Sequence, residues 1–214
     1  FPLIKGGGLW WGVLFCLPLM LFVVSITQAR AATEQKPEVR RALSYLEQLD
    51  TLKADFVQTK PEGGELTGIF YLDRPGRLRF EYDAPVEDYI VADGTFIYFY
   101  DAEMDQQSNA PIGSTMANYI LRENPGLDDD IAVQNVTKSA DMVKITLKRA
   151  DDAQPGRITL GFSRDPYRLR QWRVVDARGE ETMTRLRNIK SGLDLDRALF
   201  VYRNTGRDQH NYNE

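Results

Sequence analysis

Apolar and polar side chains alternate along residues 66–82, LTGIFYLDRPGRLRFEY, on both sides of a central turn. Alternation at period two is typical of strands with one buried face. The turn contains Pro75, which restricts φ, and Gly76, which tolerates a positive φ. The pattern therefore predicts a β-hairpin with Arg74 at its tip. Its apolar face carries Leu66, Gly68, Phe70, Leu72, Leu78, Phe80 and Tyr82.

The position of Arg74 suggests a role for this side chain. A guanidinium donates several hydrogen bonds in a fixed fork. At the tip of the hairpin, Arg74 stands at the rim of an apolar surface. We therefore expect it to bind the segment that covers this surface.

Two segments have the apolar spacing of helices. Residues 37–49, PEVRRALSYLEQL, predict an amphipathic helix of about three turns that starts at a proline. This helix either packs on a sheet as core or covers a cavity and can move. Residues 115–122, TMANYILR, predict a second, shorter helix that ends before Asn124-Pro125-Gly126. The apolar positions on the two helices are Val39, Leu43, Leu46 and Leu49, and Met116, Ile120 and Leu121.

Short strands separated by tight turns make up most of the remaining chain. Such connections are typical of antiparallel neighbours in a meander. Residues 101–114 have no regular pattern, and residues 194–202 predict a helical turn followed by a last strand. The predicted strands are 54–59, 66–72, 77–82, 88–92, 96–101, 131–136, 142–148, 157–162, 169–176 and 182–190.

These elements define the expected fold class. We predict a mostly antiparallel α+β fold, in which a strongly curved sheet or incomplete β-barrel of about 10–11 strands is closed by short α-helices acting as a lid. Residues 32–214 would form this single domain, with a polar tail from about residue 204.

The first residues have a different composition. An apolar run over residues 9–26 follows Lys5 and precedes Ala29-Arg30-Ala31, which is a small-x-small cleavage pattern. We expect residues 1–31 to be a cleaved signal peptide. The alternative is an uncleaved anchor, because eighteen apolar residues can just span a bilayer. Pro18 interrupts the run and favours the signal peptide.

Charge and cysteine content exclude several classes of protein. Removing Lys5 and Arg30 leaves 25 of the 27 basic residues and all 31 acidic ones, a net charge of −6. An acidic protein of this kind is not expected to bind nucleic acid or anionic lipid surfaces. Cys16 is the only cysteine and lies in the apolar run, so we expect no disulfides in the exported chain.

The residues of common active sites are missing as well. The single histidine, His210, lies in the polar tail, which is a poor position for a general base. Because the exported chain has neither a second histidine nor a cysteine, zinc sites and Cys/His nucleophile pairs are not expected. Acidic runs at residues 101–105 and 128–130 lack the spacing of a calcium loop. We therefore expect no enzyme activity, no cofactor and no metal.

Aromatic residues are concentrated between residues 70 and 100. The simple interpretation is that they fill a core. A curved sheet covered by two short helices would, however, leave an apolar hollow suited to alkyl chains. We predict that this hollow is lined by Leu66, Phe70, Leu72, Leu78, Phe80, Tyr82, Tyr89, Val91, Ile97 and Phe99.

The order of several motifs resembles the periplasmic lipoprotein carrier family LolA. The motifs are LDTLKADFVQ after the first helix, YLDRPGRLRFEY, then DYIVADGTFIYFYD, a short helix and a run of hairpins. The resemblance covers roughly residues 43–203. It implies an incomplete barrel with a helical lid that encloses the acyl chains of lipoproteins.

The resemblance also implies partners and residue roles. Such a carrier takes lipoproteins from an inner-membrane ATP-driven transporter and passes them to an outer-membrane lipoprotein receptor. Arg74 would hold the lid closed, Leu78 would meet partners and cargo, and Phe80 would line the cavity. The shorter, more polar tail departs from the family pattern. We expect a periplasmic monomer; the alternatives are an outer-membrane acceptor or a periplasmic lipoprotein sensor of the same fold.

Overall fold

The structure is a computed structural model that describes residues 37–127, 131–150 and 156–203. The predicted signal peptide and the tail from residue 204 lie outside the described residues. Within them, a helix α1 over residues 37–47 is followed by strands and short helical turns. The strands are β1 (Thr51–Thr59), β2 (Glu65–Asp73), β3 (Arg77–Tyr82), β4 (Tyr89–Asp93), β5 (Phe96–Asp101), β6 (Gln106–Pro111), β7 (Ile131–Lys138), β8 (Met142–Arg149), β9 (Arg157–Arg164), β10 (Tyr167–Val175) and β11 (Glu181–Ser191).

The helical turns follow β6 and β11. A 3-10 helix at Ile112–Ser114 leads into α2, a single turn at Asn118–Leu121, and a second 3-10 helix lies at Arg197–Phe200. We call residues 112–123 the covering segment. Among the described residues, no helix has both the length and the apolar character needed to span a bilayer.

All eleven strands belong to one antiparallel sheet. Their order is β6-β5-β4-β3-β2-β1-β11-β10-β9-β8-β7, so β1 and β11, the first and last of the described strands, pair at the centre of the sheet. The strands on either side of this pair are consecutive hairpins, as the short turns in the sequence predict. The meander expected from the sequence is therefore confirmed.

The sheet is strongly curved. Phe80 on β3 and Trp172 on β10 belong to strands four positions apart in the sheet, which would place them about 19 Å apart in a flat sheet. Their ring centroids are 6.1 Å apart. Phe70 on β2 is closer still, with 5.2 Å between its ring centroid and that of Trp172. The curvature therefore brings the two halves of the concave face into contact.

Helix α1 covers the half of the concave face that is formed by the later strands. Its buried positions, Val39, Ala42 and Leu46, recur at helical spacing and join the core. The Tyr45 ring centroid lies 5.7 Å from that of Phe162 on β9. A salt bridge of 3.2 Å joins Glu38 to Lys138 on β7. Helix α1 therefore packs on the sheet as part of the core.

Three details differ from the sequence prediction. β6 lies in the stretch that has no regular pattern, because this edge strand is almost entirely exposed and has no apolar alternation. The second helix is shorter than predicted, spanning Asn118–Leu121 rather than residues 115–122. Residues 201–203 follow the last 3-10 helix without forming a strand.

Gly68 on β2 provides a test of the sheet geometry. A Cβ atom there would lie 2.0 Å from the carbonyl oxygen of Glu81 on β3. We expect Gly68→Ala to destabilise the protein by about 1–3 kcal/mol, because the two strands must separate. Gly113→Ala is the matched control, since no atom lies within 4 Å of its Cβ position. Urea unfolding of both variants measures the difference, and equal stabilities would contradict the close pairing of β2 and β3.

Candidate functional site

A cavity of about 270 Å³ lies between the concave face of the sheet and the covering segment. Strands from both halves of the sheet contribute to its walls, which the curvature makes possible. Most of the lining side chains are apolar. They are Gln58, Phe70, Leu78, Phe80, Ile90, Ile97, Phe99, Ile158, Trp172, Val174, Thr182 and Thr184 from the sheet, and Thr115, Met116, Ala117 and Ile120 from the covering segment.

Half of the ten residues predicted to line a hollow do line this cavity. They are Phe70, Leu78, Phe80, Ile97 and Phe99. Leu72 is fully buried in the core, whereas Leu66 and Tyr82 line a second cavity that adjoins the first. Of the predicted helix residues, Met116 and Ile120 line the cavity, and Val39, Leu43, Leu46 and Leu121 pack in the core around it.

Tyr89 and Val91 do not line the first cavity, although Tyr89 is among the residues around the adjoining one. Ile90 between them lines the cavity, and neighbouring residues of a strand point to opposite faces, so Tyr89 and Val91 lie on the outer face. There the Tyr89 hydroxyl donates a hydrogen bond to the carbonyl of Arg203. The aromatic residues that are concentrated in this region therefore lie on both faces of the sheet.

Sequence reasoning missed the lining residues from the second half of the sheet. Trp172 is three residues from Leu169, so strict alternation would place the two on opposite faces. A β-bulge between Leu169 and Gln171 shifts the register, and both side chains are buried. Ile158 could have been found, because it belongs to the apolar alternation of β9. The polar residues Gln58, Thr182 and Thr184 gave no signal in the sequence.

The adjoining cavity has a volume of about 420 Å³ and a more polar lining. It shares Gln58, Ile90 and Phe99 with the first cavity. Phe99 is 40% exposed, which is unusual for a large apolar side chain in contact with an apolar cavity. We infer that Phe99 stands at the opening between the apolar cavity and the solvent.

Arg74 lies where the β2–β3 turn meets the ends of both helices. Its guanidinium donates hydrogen bonds to the carbonyls of Leu49, at 3.3 Å, and of Arg122, at 2.5 Å. The backbone of the turn adds two bonds, from Arg74 N to Asp50 O (2.7 Å) and from Gly76 N to Leu121 O (2.8 Å). Carbonyls at helix C-termini have no intrahelical partner. The turn therefore satisfies carbonyls that follow α1 and that end the covering segment.

The electrostatics of this contact follow from its partial burial. Burial lowers the pKa of Arg74, and the nearby carboxylates of Asp50 and Glu47 oppose this shift. An arginine keeps its charge despite such shifts. The Nε atom of Arg74 is buried and has no hydrogen-bond partner. A charged group in this setting strongly favours the conformation that supplies its carbonyl acceptors.

Tyr82 lines the adjoining cavity and bonds Gln58, which both cavities share. Burial raises the pKa of Tyr82 to about 12, with a smaller contribution from Asp88. The phenol therefore stays protonated at neutral pH. It donates a hydrogen bond of 2.8 Å to Oε1 of Gln58.

The chemistry available at the site is that of a binding cavity. The lining contains no cysteine, histidine or carboxylate, and the described residues contain no group of three His, Cys, Asp or Glu side chains that could hold a metal. Apolar walls with a few hydroxyl and amide groups suit an apolar ligand with a small polar part.

Comparisons with known proteins point in the same direction. The family model described as "Outer membrane lipoprotein carrier protein LolA" matches residues 47–203. A protein of Methylococcus capsulatus named "Outer-membrane lipoprotein carrier protein" is 30% identical over 172 residues, which cover 76% of this chain and 81% of that protein. A protein of the same name from Chromohalobacter salexigens is 26% identical over 180 residues, covering 80% and 85%.

A solved structure was also compared. The crystal structure of a LolA superfamily protein from Nitrosomonas europaea aligns with 76% of this chain and 97% of its own, at 11% identity and a TM-score of 0.41.

Removal of the guanidinium should loosen the covering segment. We expect Arg74→Leu to increase amide hydrogen exchange at residues 118–122 and Gly76 by about ten- to a hundredfold, because a hydrogen bond to a charged group is worth about 1.5–3 kcal/mol. Amides of the β1–β11 pair should not change. Arg77→Leu is the control, because Arg77 bonds Asp73 of its own hairpin. Unchanged exchange in Arg74→Leu would show that the bonds of Arg74 do not hold the segment.

Proposed function

This chain belongs to the LolA family of outer membrane lipoprotein carrier proteins, and we propose that it shelters the acyl chains of lipoproteins in the cavity beneath the covering segment. The lipoproteins are released from the inner membrane and delivered to an outer-membrane acceptor. The protein acts as a chaperone in this transport and catalyses no reaction.

The observation that supports this proposal most strongly is the apolar cavity between the sheet and the covering segment. Each methylene removed from water is worth about 0.8 kcal/mol, so an acyl chain of about sixteen carbons exposed in water costs on the order of ten kcal/mol. A lipoprotein therefore crosses an aqueous compartment only with its chains covered. Walls formed by Phe70, Leu78, Phe80 and Trp172 provide such a cover.

The size of the cavity supports a carrier that opens. Its volume of about 270 Å³ is just below the range for small-molecule pockets, which is roughly 300–1,000 Å³. An acyl chain would have to enlarge it. The covering segment is the part of the wall with the least regular structure, since its only α-helix is one turn. We infer that cargo displaces this segment, which acts as the lid.

Arg74 would set the free energy of lid closure. In the closed state it bonds carbonyls that follow both helices. Opening the lid breaks its bond to the covering segment at a cost of about 1.5–3 kcal/mol. The cargo-bound state would then be less stable than a complex with a tighter-binding acceptor, so that release requires no nucleotide.

Two membrane partners would load and unload the carrier. An inner-membrane ATP-driven lipoprotein-releasing transporter would load the periplasmic carrier, and an outer-membrane lipoprotein receptor would unload it. We expect the carrier to act as a monomer, with Leu78 near the surface that meets cargo and partners.

Photo-crosslinking tests where the acyl chains bind. We expect a photoreactive amino acid at position 80 to capture the acyl chains of lipoproteins that carry an alkyne-labelled fatty acid. The same amino acid at position 71 is the matched control, because Tyr71 follows Phe70 on β2 and so lies on the outer face, where Lys53 lies over its ring. Equal capture at both positions would refute acyl binding in the cavity.

The role of Arg74 is tested by transfer. We expect Arg74→Leu to accept lipoproteins from inner-membrane vesicles but to deliver them at least tenfold less completely. In this variant, opening of the covering segment no longer breaks a hydrogen bond to the Arg122 carbonyl, so the cargo-bound state is no longer destabilised relative to the acceptor complex. Transfer to receptor-containing liposomes measures this effect, with Arg77→Leu as the control. Full delivery by Arg74→Leu would contradict the proposed role.

A further inference from the structure

The hydroxyl of Thr184 is an exception in the cavity wall. Thr184 lies on β11 and lines the cavity, yet its side chain is only 1% exposed and its Oγ1 atom has no hydrogen-bond partner. A buried polar group without a partner lowers the stability of a protein, and such groups are rare. A valine of nearly the same shape would avoid this cost. The hydroxyl therefore calls for a partner outside the protein.

Two further polar side chains lie beside Thr184. Gln58 on β1 is directly opposite Thr184 in the central strand pair, and Thr182 is two residues away on the same face of β11. All three line the cavity. Trp172 and Val174, which pair with Thr184 and Thr182, continue the wall with apolar surface. The polar groups thus form one small cluster on the wall at the centre of the sheet.

The other hydrogen bonds in the cavity leave this cluster with unused donors. Oε1 of Gln58 accepts the hydrogen bond of Tyr82, which leaves the amide nitrogen of Gln58 to act as a donor. On the opposite wall, the Thr115 hydroxyl donates to the carbonyl of Ile112 at 2.8 Å. Thr115 is therefore satisfied within the protein, whereas Thr184 is not.

The chemistry of the missing partner follows from this arrangement. The amide nitrogen of Gln58 can only donate, whereas the Thr184 hydroxyl can donate or accept, so a partner that bonds both groups carries an acceptor. No cationic side chain lines the cavity, so a buried carboxylate or phosphate would lack a counter-charge. A neutral carbonyl avoids this cost. An acyl chain ends in a neutral carbonyl whenever it is bound as an ester or an amide.

We propose that Thr184, with Gln58 beside it, binds the ester or amide carbonyl at the head of an acyl chain. This inference rests on the proposed function and adds the position and chemistry of the ligand's polar end. The carbonyl lies against the central β1–β11 pair, while the alkyl part contacts the aromatic walls. The cavity thereby distinguishes acyl chains from alkyl chains of the same length.

A matched pair of ligands tests this inference. Monopalmitoylglycerol is an ester, and hexadecylglycerol is the ether that lacks only the carbonyl oxygen. We expect the wild-type protein to bind the ester more tightly. Thr184→Val should weaken binding of the ester about three- to tenfold and change binding of the ether less than about twofold, as the loss of one neutral hydrogen bond requires. Isothermal titration calorimetry with the full chain measures both affinities.

Two control variants separate recognition from a structural role. Thr115→Val removes a hydroxyl that already has a partner, so we expect it to lower the melting temperature and to affect both ligands equally. Thr184→Val removes a hydroxyl without a partner, so the melting temperature of the empty protein should not fall. Thr184→Ser keeps the hydroxyl and should keep the preference for the ester, which also covers the case that the valine variant folds poorly.

The outcomes are distinguishable. Equal changes in ester and ether binding by Thr184→Val, or loss of the ester preference in Thr184→Ser, would overturn the role of Thr184 while leaving the proposed carrier function in place. A wild-type protein that binds neither ligand would overturn both. A preference for the ester that depends on the hydroxyl at position 184 is the expected result.

Discussion

A sheet with one apolar face has to keep water from that face, and in the described part of this chain only two segments cover it. The sheet curves so strongly that Phe80 and Trp172, four strands apart, are in contact. This curvature reduces the apolar area that other segments must cover. Helix α1 then covers the half formed by the later strands. The covering segment closes the other half and leaves a void below it. The cavity is thus a consequence of covering a wide, curved sheet with few residues.

The covering segment is hydrogen-bonded to the sheet near both of its ends. At its start, the amide of Ile112 donates to the carbonyl of Thr95, and a second connection is made at its last residues. The β2–β3 turn reaches it through the guanidinium of Arg74 and the amide of Gly76. Gly76 has a φ of +83°, and a Cβ atom there would lie 2.8 Å from Gly94, so the turn also packs against the neighbouring β4–β5 turn. The hydrogen-bond donors of this turn are therefore positioned by rigid parts of the sheet. A few hydrogen bonds can in this way determine the position of a segment that has little regular structure of its own.

The sequence predicts the fold better than it predicts the site. Alternation along β2 and β3 identifies the hairpin that they form, and Pro75-Gly76 identifies its turn, because these signals are local. The face of the sheet on which a side chain lies can be predicted only where the strand alternates regularly. The bulge beside Leu169 brings Trp172 into the cavity, and the crowding of aromatic residues near Tyr89 reflects the outer face as well as the inner one. The sequence could not reveal either fact, because a bulge within the β9–β10 hairpin and the face on which an aromatic side chain lies both depend on how the strands pair. β6 was missed since it is an exposed edge strand without apolar side chains to mark it.

The two segments that cover the sheet differ in what lies beneath them, and this difference bears on where the structure can open. Helix α1 buries Val39, Ala42 and Leu46, bonds β7 through Glu38, and packs Tyr45 against Phe162. The covering segment buries Ile112, Tyr119, Ile120 and Leu121, so by burial it is held no less firmly than α1. Burial of each large apolar side chain contributes about 1.5–3 kcal/mol, and displacement of either segment in water is therefore costly. Of the two segments, however, only the covering segment borders the void. An apolar ligand that enters the void replaces part of the contacts that this segment loses, which lowers the cost of displacing it, whereas α1 has no such replacement.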